Sequence, residues 1–143
     1  MKIRIKRIDK SLPLPEFKTA GAAAFDFYAR EEVVIEPKKI GYVPLNNVIE
    51  APMGYMLKVF ARSGTHKRGL IIANGVGIID SDFSGDNDEI KAVYYNFTDE
   101  PVVIEKGERI AQGIIEKRED VNWEEVDVMG NKDRGAFGTT GAK

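Results

Sequence analysis

Asn74-Gly75-Val76-Gly77-Ile78-Ile79-Asp80-Ser81-Asp82-Phe83 is an apolar, glycine-punctuated run that ends in two carboxylates and an aromatic ring within four residues. Val76, Ile78 and Ile79 read as β-strand, because branched side chains suit a pleated, half-buried surface. Gly75 and Gly77 carry no Cβ and let a flat ligand approach the backbone. Asn74-Gly75 is also a strong turn signal. Asp80 falls at the strand end, where a carboxylate can be held partly desolvated and take a proton from water. By itself the stretch fits a kinked core strand closing in an Asp-Ser-Asp turn just as well.

Outward from this run the chain repeats one pattern, short apolar or alternating stretches between turn residues. Ile3 and Ile5 alternate with cations, and Val33-Val34-Ile35 stops at Pro37. Ile40 to Leu45, Gly54 to Phe60, Ile71 to Ile79, Glu89 to Phe97, Val102 to Ile104 and Ile110 to Ile115 continue the series. Nowhere do apolar residues keep a 3.6-residue period for three turns, so little helix is expected. Many short strands at turn spacing predict an all-β sandwich or barrel. The composition changes after Lys117. Residues 1–117 read as one folded domain, and 118–143 as a flexible arm, charged at first and then punctuated by Gly130, Gly135, Gly138 and Gly141. Such a segment buries little apolar surface, yet it carries Arg134 and Phe137, which suit an arm that closes over a charged, flat ligand.

The 143 residues fit one domain with a packed core. Hydrophobic residues make up 43% and charged residues 31%, as in an ordinary soluble domain. A formal charge of −2 argues against a nucleic-acid partner, which would call for an excess of cations. Without cysteine there is no disulfide framework or thiolate chemistry, and a single histidine, His66, cannot build a multi-histidine metal site. Met1-Lys2-Ile3-Arg4-Ile5-Lys6 has no apolar core of the kind a signal peptide needs, and no run approaches the roughly 20 apolar residues that span a bilayer. A cytoplasmic protein with no membrane partner is expected.

Four further segments complete a pattern: Ala24-Phe25-Asp26-Phe27-Tyr28-Ala29, Ala61-Arg62-Ser63-Gly64, Gly107-Glu108-Arg109-Ile110-Ala111-Gln112 and Arg134-Gly135-Ala136-Phe137-Gly138-Thr139-Thr140-Gly141. With the first they resemble, in order and spacing, the five motifs of the trimeric dUTP diphosphatases (dUTPases). The resemblance runs from about Ile3 to the C-terminus. It implies a jelly-roll-like β-barrel and hydrolysis of dUTP to dUMP and pyrophosphate with Mg²⁺. It also implies a homotrimer in which the base-reading hairpin and the closing arm of one site come from different subunits.

The residues themselves fit such chemistry. Arg62-Ser63-Gly64 offers a guanidinium, a hydroxyl and an unobstructed amide in succession, which suits phosphate and equally suits a plain turn. By resemblance Arg62, Ser63, Gly64, Gln112 and Arg134 meet the phosphates. Asn74 has both donor and acceptor functions for the edge of uracil, in the hairpin that includes Gly77, whereas cytosine would leave buried groups unpaired. Phe83 stands where the family usually has a tyrosine against the deoxyribose, and its ring leaves no room for a ribose 2′-hydroxyl. Asp80 is the candidate base for in-line attack of water on the α-phosphorus, a reaction governed by positioning and charge neutralisation. Phe137 and Gly138 belong to the closing arm. Asp26 resembles the carboxylate that holds the metal's water shell or organises the site near it; Phe25 and Phe27 flank it, so alternation puts it on the opposite face of the strand. Arg109 reads as an ion-pair partner near the site.

The chain departs from the family pattern in three places. Asp86-Asn87-Asp88 lengthens the turn after Phe83, the stretch Thr65 to Gly69 is one residue shorter than in many relatives, and Ala136 replaces a glycine. Two other readings share the fold, a dCTP deaminase-like enzyme and a regulatory relative that binds nucleotide and signals to a protein partner. Asp80 and the glycine-rich arm favour hydrolysis over deamination, and the retained candidate base, phosphate ligands and arm favour it over a regulatory role.

Overall fold

Branched and aromatic residues alternating with polar ones generate eleven strands in the computed structural model, which describes residues 1–141. They are β1 (Arg4–Arg7), β2 (Phe25–Tyr28), β3 (Val33–Ile35), β4 (Ile40–Pro44), β5 (Asn47–Glu50), β6 (Tyr55–Ala61), β7 (Leu70–Ile72), β8 (Gly77–Ile79), β9 (Lys91–Asn96), β10 (Val102–Ile104) and β11 (Arg109–Lys117). The 3-10 turn Thr65–Arg68 is the one helical element among the described residues. The expected all-β class is what the chain adopts. All pairings are antiparallel, in a four-stranded sheet β2-β11-β6-β8, a three-stranded sheet β4-β9-β7, and the pairs β1-β5 and β3-β10.

The sheets enclose one core, built from Phe27, Ile35, Val43, Leu45, Leu57, Val59, Leu70, Ile90, Tyr94, Ile104 and their neighbours. The strand period of two sorts the residues: along β9, Ala92, Tyr94 and Asn96 are buried while Lys91 is exposed and Val93 and Tyr95 are half-buried. Burial raises the pKa of the Tyr94 hydroxyl, which donates to the Ile110 carbonyl at 2.6 Å. A buried polar group is thereby satisfied.

The run Ile71 to Ile79, expected as one stretch of strand, is divided. β7 pairs with β9 and β8 with β6, so the chain changes sheets between them. It does so at Asn74-Gly75, where Gly75 takes φ +71° and the Val76 N–H donates to the Asn74 carbonyl at 2.8 Å. The turn residue is legible locally; the choice of two different partner strands is not. β5 follows Leu45 after Asn46, a turn residue that tolerates the left-handed region. There Asn46 adopts φ +69° and its amide side chain is held by the backbone of Asp9, accepting from its N–H at 2.6 Å and donating to its carbonyl at 3.0 Å.

Gly113 on β11 lets β2 lie close. A Cβ there would come within 2.6 Å of the Phe27 ring and 2.8 Å of the Phe25 ring. The two rings meet edge to face, 5.4 Å apart. Beyond Lys117 no further strand forms among the described residues, and every residue from 116 to 141 is exposed. The arm leaves the barrel with the Arg118 N–H on the Gly54 carbonyl at 2.8 Å. Residues 142–143, the end of the expected arm, lie outside the described residues.

Candidate functional site

Three strands place one row of side chains. Gln112 on β11 lies directly opposite Asp26 on β2 and directly opposite Phe60 on β6, so all three project from the same face of the sheet. Phe27, the neighbour of Asp26, is fully buried on the other face, as alternation required. Asp26 is itself 8% exposed, and guanidinium groups hold both of its oxygens. Arg62 Nε donates to Oδ1 at 2.9 Å and Arg109 Nη1 to Oδ2 at 3.1 Å. Arg62 Nη1 also donates to the Arg109 carbonyl at 3.1 Å, and Gln112 Nε2 to the Ala61 carbonyl at 2.9 Å. Around this cluster opens a cleft of about 490 Å³, lined among others by Asp26, Arg62, Ser63, Arg109, Gln112 and Lys18. The turn that follows uses the carbonyls of Arg62 and Gly64 as acceptors, for Thr65 and Lys67 N–H, each at 3.1 Å.

Lys18 belongs to none of the five recognised segments and was not foreseen. Its ammonium is paired with Glu16 and lies 5.5 Å from the centre of the Tyr28 ring. Tyr28 Oη donates to the same Glu16 oxygen, Oε1, at 2.5 Å. Hydrogen bonds from Lys18 and then Tyr28 lower the Glu16 pKa, and Glu16 and then Tyr28 raise that of Lys18. No sequence signal marks the group; it is assembled because the Asp26 N–H donates to the Glu16 carbonyl at 3.0 Å, which docks the loop against β2.

The other candidate residues occupy a different place. Asp80 leaves β8 into a hollow of about 350 Å³ lined by Met53, Tyr55, Met56, Ile78, Ser81, Asp82 and Arg118. It is exposed in the single chain, so the partial desolvation expected of it is not supplied by its own barrel. Its carbonyl accepts from Phe83 N–H at 3.2 Å, which folds the Asp80–Phe83 turn and leaves the Phe83 ring 40% exposed. Asn74 is exposed at the sheet change. At Gly77 an added Cβ would meet Val59 Cβ at 3.3 Å and Asn74 Nδ2 at 3.8 Å, so the missing side chain serves β6 packing.

Register fixes the separation. Ile79 faces Leu57, which sets Asp80 level with Met56, six residues before Arg62 on the same strand line. At about 3.3 Å per residue the two ends are about 20 Å apart. Arg134, Phe137 and Gly138 are exposed on the arm, and the linings of both hollows include nothing beyond Arg118. One chain thus brings Asp26, Arg62, Ser63 and Gln112 together in one cleft, whose lining includes none of Asp80, Asn74 and Phe83.

Among the described residues no three His, Cys, Asp or Glu side chains converge as a metal cage. Among the described residues no helix is long and apolar enough to cross a membrane.

A family model for dUTPase matches residues 10–141. The deoxyuridine 5′-triphosphate nucleotidohydrolase of Dictyoglomus turgidum is 38% identical over 99% of this chain and 99% of its own length. That of Helicobacter pylori strain Shi470 is 34% identical over 99% of this chain and 97% of its own. Among solved structures, the dUTPase of Streptococcus mutans is similar with a TM-score of 0.76 and 32% identity, covering 83% of this chain and 98% of that one. A dUTPase of Staphylococcus bacteriophage 80alpha with dUpNHpp shares the fold at a TM-score of 0.82 and 23% identity, covering 98% of each chain.

Proposed function

The chain belongs to the dUTPase family, and from that premise we propose that it hydrolyses dUTP to dUMP and pyrophosphate at a site completed only between chains of a homotrimer. The observation that carries the reading is the register of β6 against β8. It sets the candidate base and the cluster of phosphate-binding character at opposite ends of one strand, which supports a site that a second copy completes. A limit on uracil entering DNA, and dUMP for thymidylate synthesis, are the proposed consequences.

In this reading Arg62, Ser63, Gly64 and Gln112 bind the phosphates from the cleft of one chain. Asn74 and Gly77 meet the uracil edge, and Phe83 lies against the deoxyribose, from a second chain. The arm, residues 118–143, closes over a neighbour's site and brings Arg134, Phe137 and Gly138. Closure would also supply what the single barrel does not, exclusion of water around Asp80. Asp80 takes a proton from a water whose oxygen forms a bond to the α-phosphorus, and the bond from that phosphorus to the pyrophosphate oxygen breaks. Asp26 holds the Arg62 guanidinium in place for this alignment.

Mg²⁺ favours oxygen ligands, keeps several waters and relies on one or two carboxylates plus substrate phosphates. The cleft fits that donor set. Asp26 is its carboxylate, and each of its oxygens accepts one guanidinium N–H and retains a lone pair for a water of the ion. When bound with the nucleotide, the ion would lower repulsion toward the attacking water and favour departure of pyrophosphate.

An assay that follows pyrophosphate and ammonia release separately, on dUTP and on dCTP, tests the reading. Pyrophosphate from dUTP is expected. Ammonia from dCTP would make the protein a deaminase, and binding without either product would make it a regulatory relative.

A further inference from the structure

The side chains of this cleft by themselves supply less positive charge than a polyphosphate carries, before the proposed Mg²⁺ and a neighbour's Arg134 are counted. Arg62 and Arg109 both lean on Asp26, so this trio contributes one net positive charge. A nucleoside triphosphate carries about four negative charges near neutral pH, each needing a fixed cation, an N–H donor or a metal ion to offset it. Among the described residues lining the cleft, Lys18 is the cation that Asp26 does not engage. Its partner Glu16 is not part of that lining.

The Lys18–Glu16 pair is half open to solvent, with side-chain exposures of 38% and 47%, and pairs of that kind cost little to separate. Separation leaves no orphan. Tyr28 Oη already donates to the same Glu16 oxygen, so the carboxylate stays hydrogen-bonded when the lysine departs. The lysine stem is a flexible four-carbon chain ending in three donors, able to turn from the cleft's rim toward its interior. Charge also favours the exchange, since a polyphosphate outbids one exposed carboxylate for an ammonium.

We propose that Lys18 is a further substrate-binding residue, parked on Glu16 and Tyr28 in the free chain and transferred to the polyphosphate when the nucleotide enters the cleft. The proposal rests on the reading of this cleft as the phosphate half of the site.

Calorimetric titration of the assembled protein with the imido analogue of dUTP, with dUMP and with inorganic triphosphate tests it, using wild type, Lys18→Gln, Lys18→Arg and Glu16→Gln. Lys18→Gln is expected to weaken the dUTP analogue about tenfold, the size of one charge-assisted hydrogen bond at a partly exposed site, with dUMP changed less than about twofold. Lys18→Arg should retain most of the affinity. Glu16→Gln frees the ammonium and should hold or tighten the analogue. A merely structural ion pair would make Glu16→Gln and Lys18→Gln weaken it alike, and that result overturns the proposal, as does unchanged affinity in Lys18→Gln or an equal loss for dUMP. The reading of the site fails separately: a wild type that ignores the dUTP analogue yet binds inorganic triphosphate through Lys18 would refute the nucleotide assignment and keep the lysine's role.

Discussion

Arg62 points its Nε–H at Asp26 Oδ1 across 2.9 Å, and Arg109 closes on the other oxygen of the same carboxylate. Asp26 is nearly buried while the arginines are each about a third exposed or more, so the cluster is intermediate between a screened surface pair and a sealed one. Replacing Asp26 with asparagine leaves two cations facing one neutral amide. Stability should fall by about 1–3 kcal/mol, between the exposed and buried limits, and KM for dUTP should rise as Arg62 loses its fixed direction. Urea denaturation and steady-state kinetics check the two parts; a variant as stable as wild type would show that solvent screens the cluster.

Asp80→Asn should retain the fold and nucleotide binding, because the side chain is exposed and only its backbone carbonyl takes part in the local turn. Turnover should drop by about 10²–10⁴-fold, the usual share of general acid–base catalysis. Near-normal hydrolysis would remove Asp80 from the mechanism.

Phe83→Ala opens the space that a ribose 2′-hydroxyl would fill. The ring is 40% exposed in the single chain, so it is available to a ligand. Discrimination between dUTP and UTP, read as the ratio of their kcat/KM values, should narrow at some cost to dUTP. If UTP stays equally poor and dUTP is unaffected, the ring has no part in sugar selection.

Two inactive variants should repair each other. One is Asp80→Ala with its arm intact; the other ends before Arg134 with Asp80 intact. Dissociated together and reassembled in equal amounts, they should recover about a quarter of all sites, by counting arrangements on a three-fold ring. A mixture that verifiably exchanges subunits and stays inactive would show that each arm closes over the Asp80 of its own chain.

Much of this geometry was legible residue by residue. Phe25-Asp26-Phe27 announces a strand with an acid on one face and aromatics on the other, and the buried Phe27 and clustered Asp26 bear that out. Asn74-Gly75 announces a turn, which forms with Gly75 at φ +71°. What stayed hidden is non-local. The register of β8 on β6 depends on which apolar strand neighbours which, and Ile71, Ile72, Ile78 and Ile79 look alike to a periodicity argument although they enter two sheets. Lys18 was invisible for a similar reason. It gains its place through the Glu16 backbone bridge to Asp26 and through Tyr28 Oη, neither of which leaves a motif in the chain.

The span of β6 has a consequence for how such an enzyme loses activity. With the proposed base at one end of the strand and the proposed phosphate cluster at the other, a site shared between chains would exist only while they stay associated. Dilution alone would then extinguish catalysis with every barrel still folded. Specific activity would depend on protein concentration, falling where the circular dichroism spectrum of the strands does not.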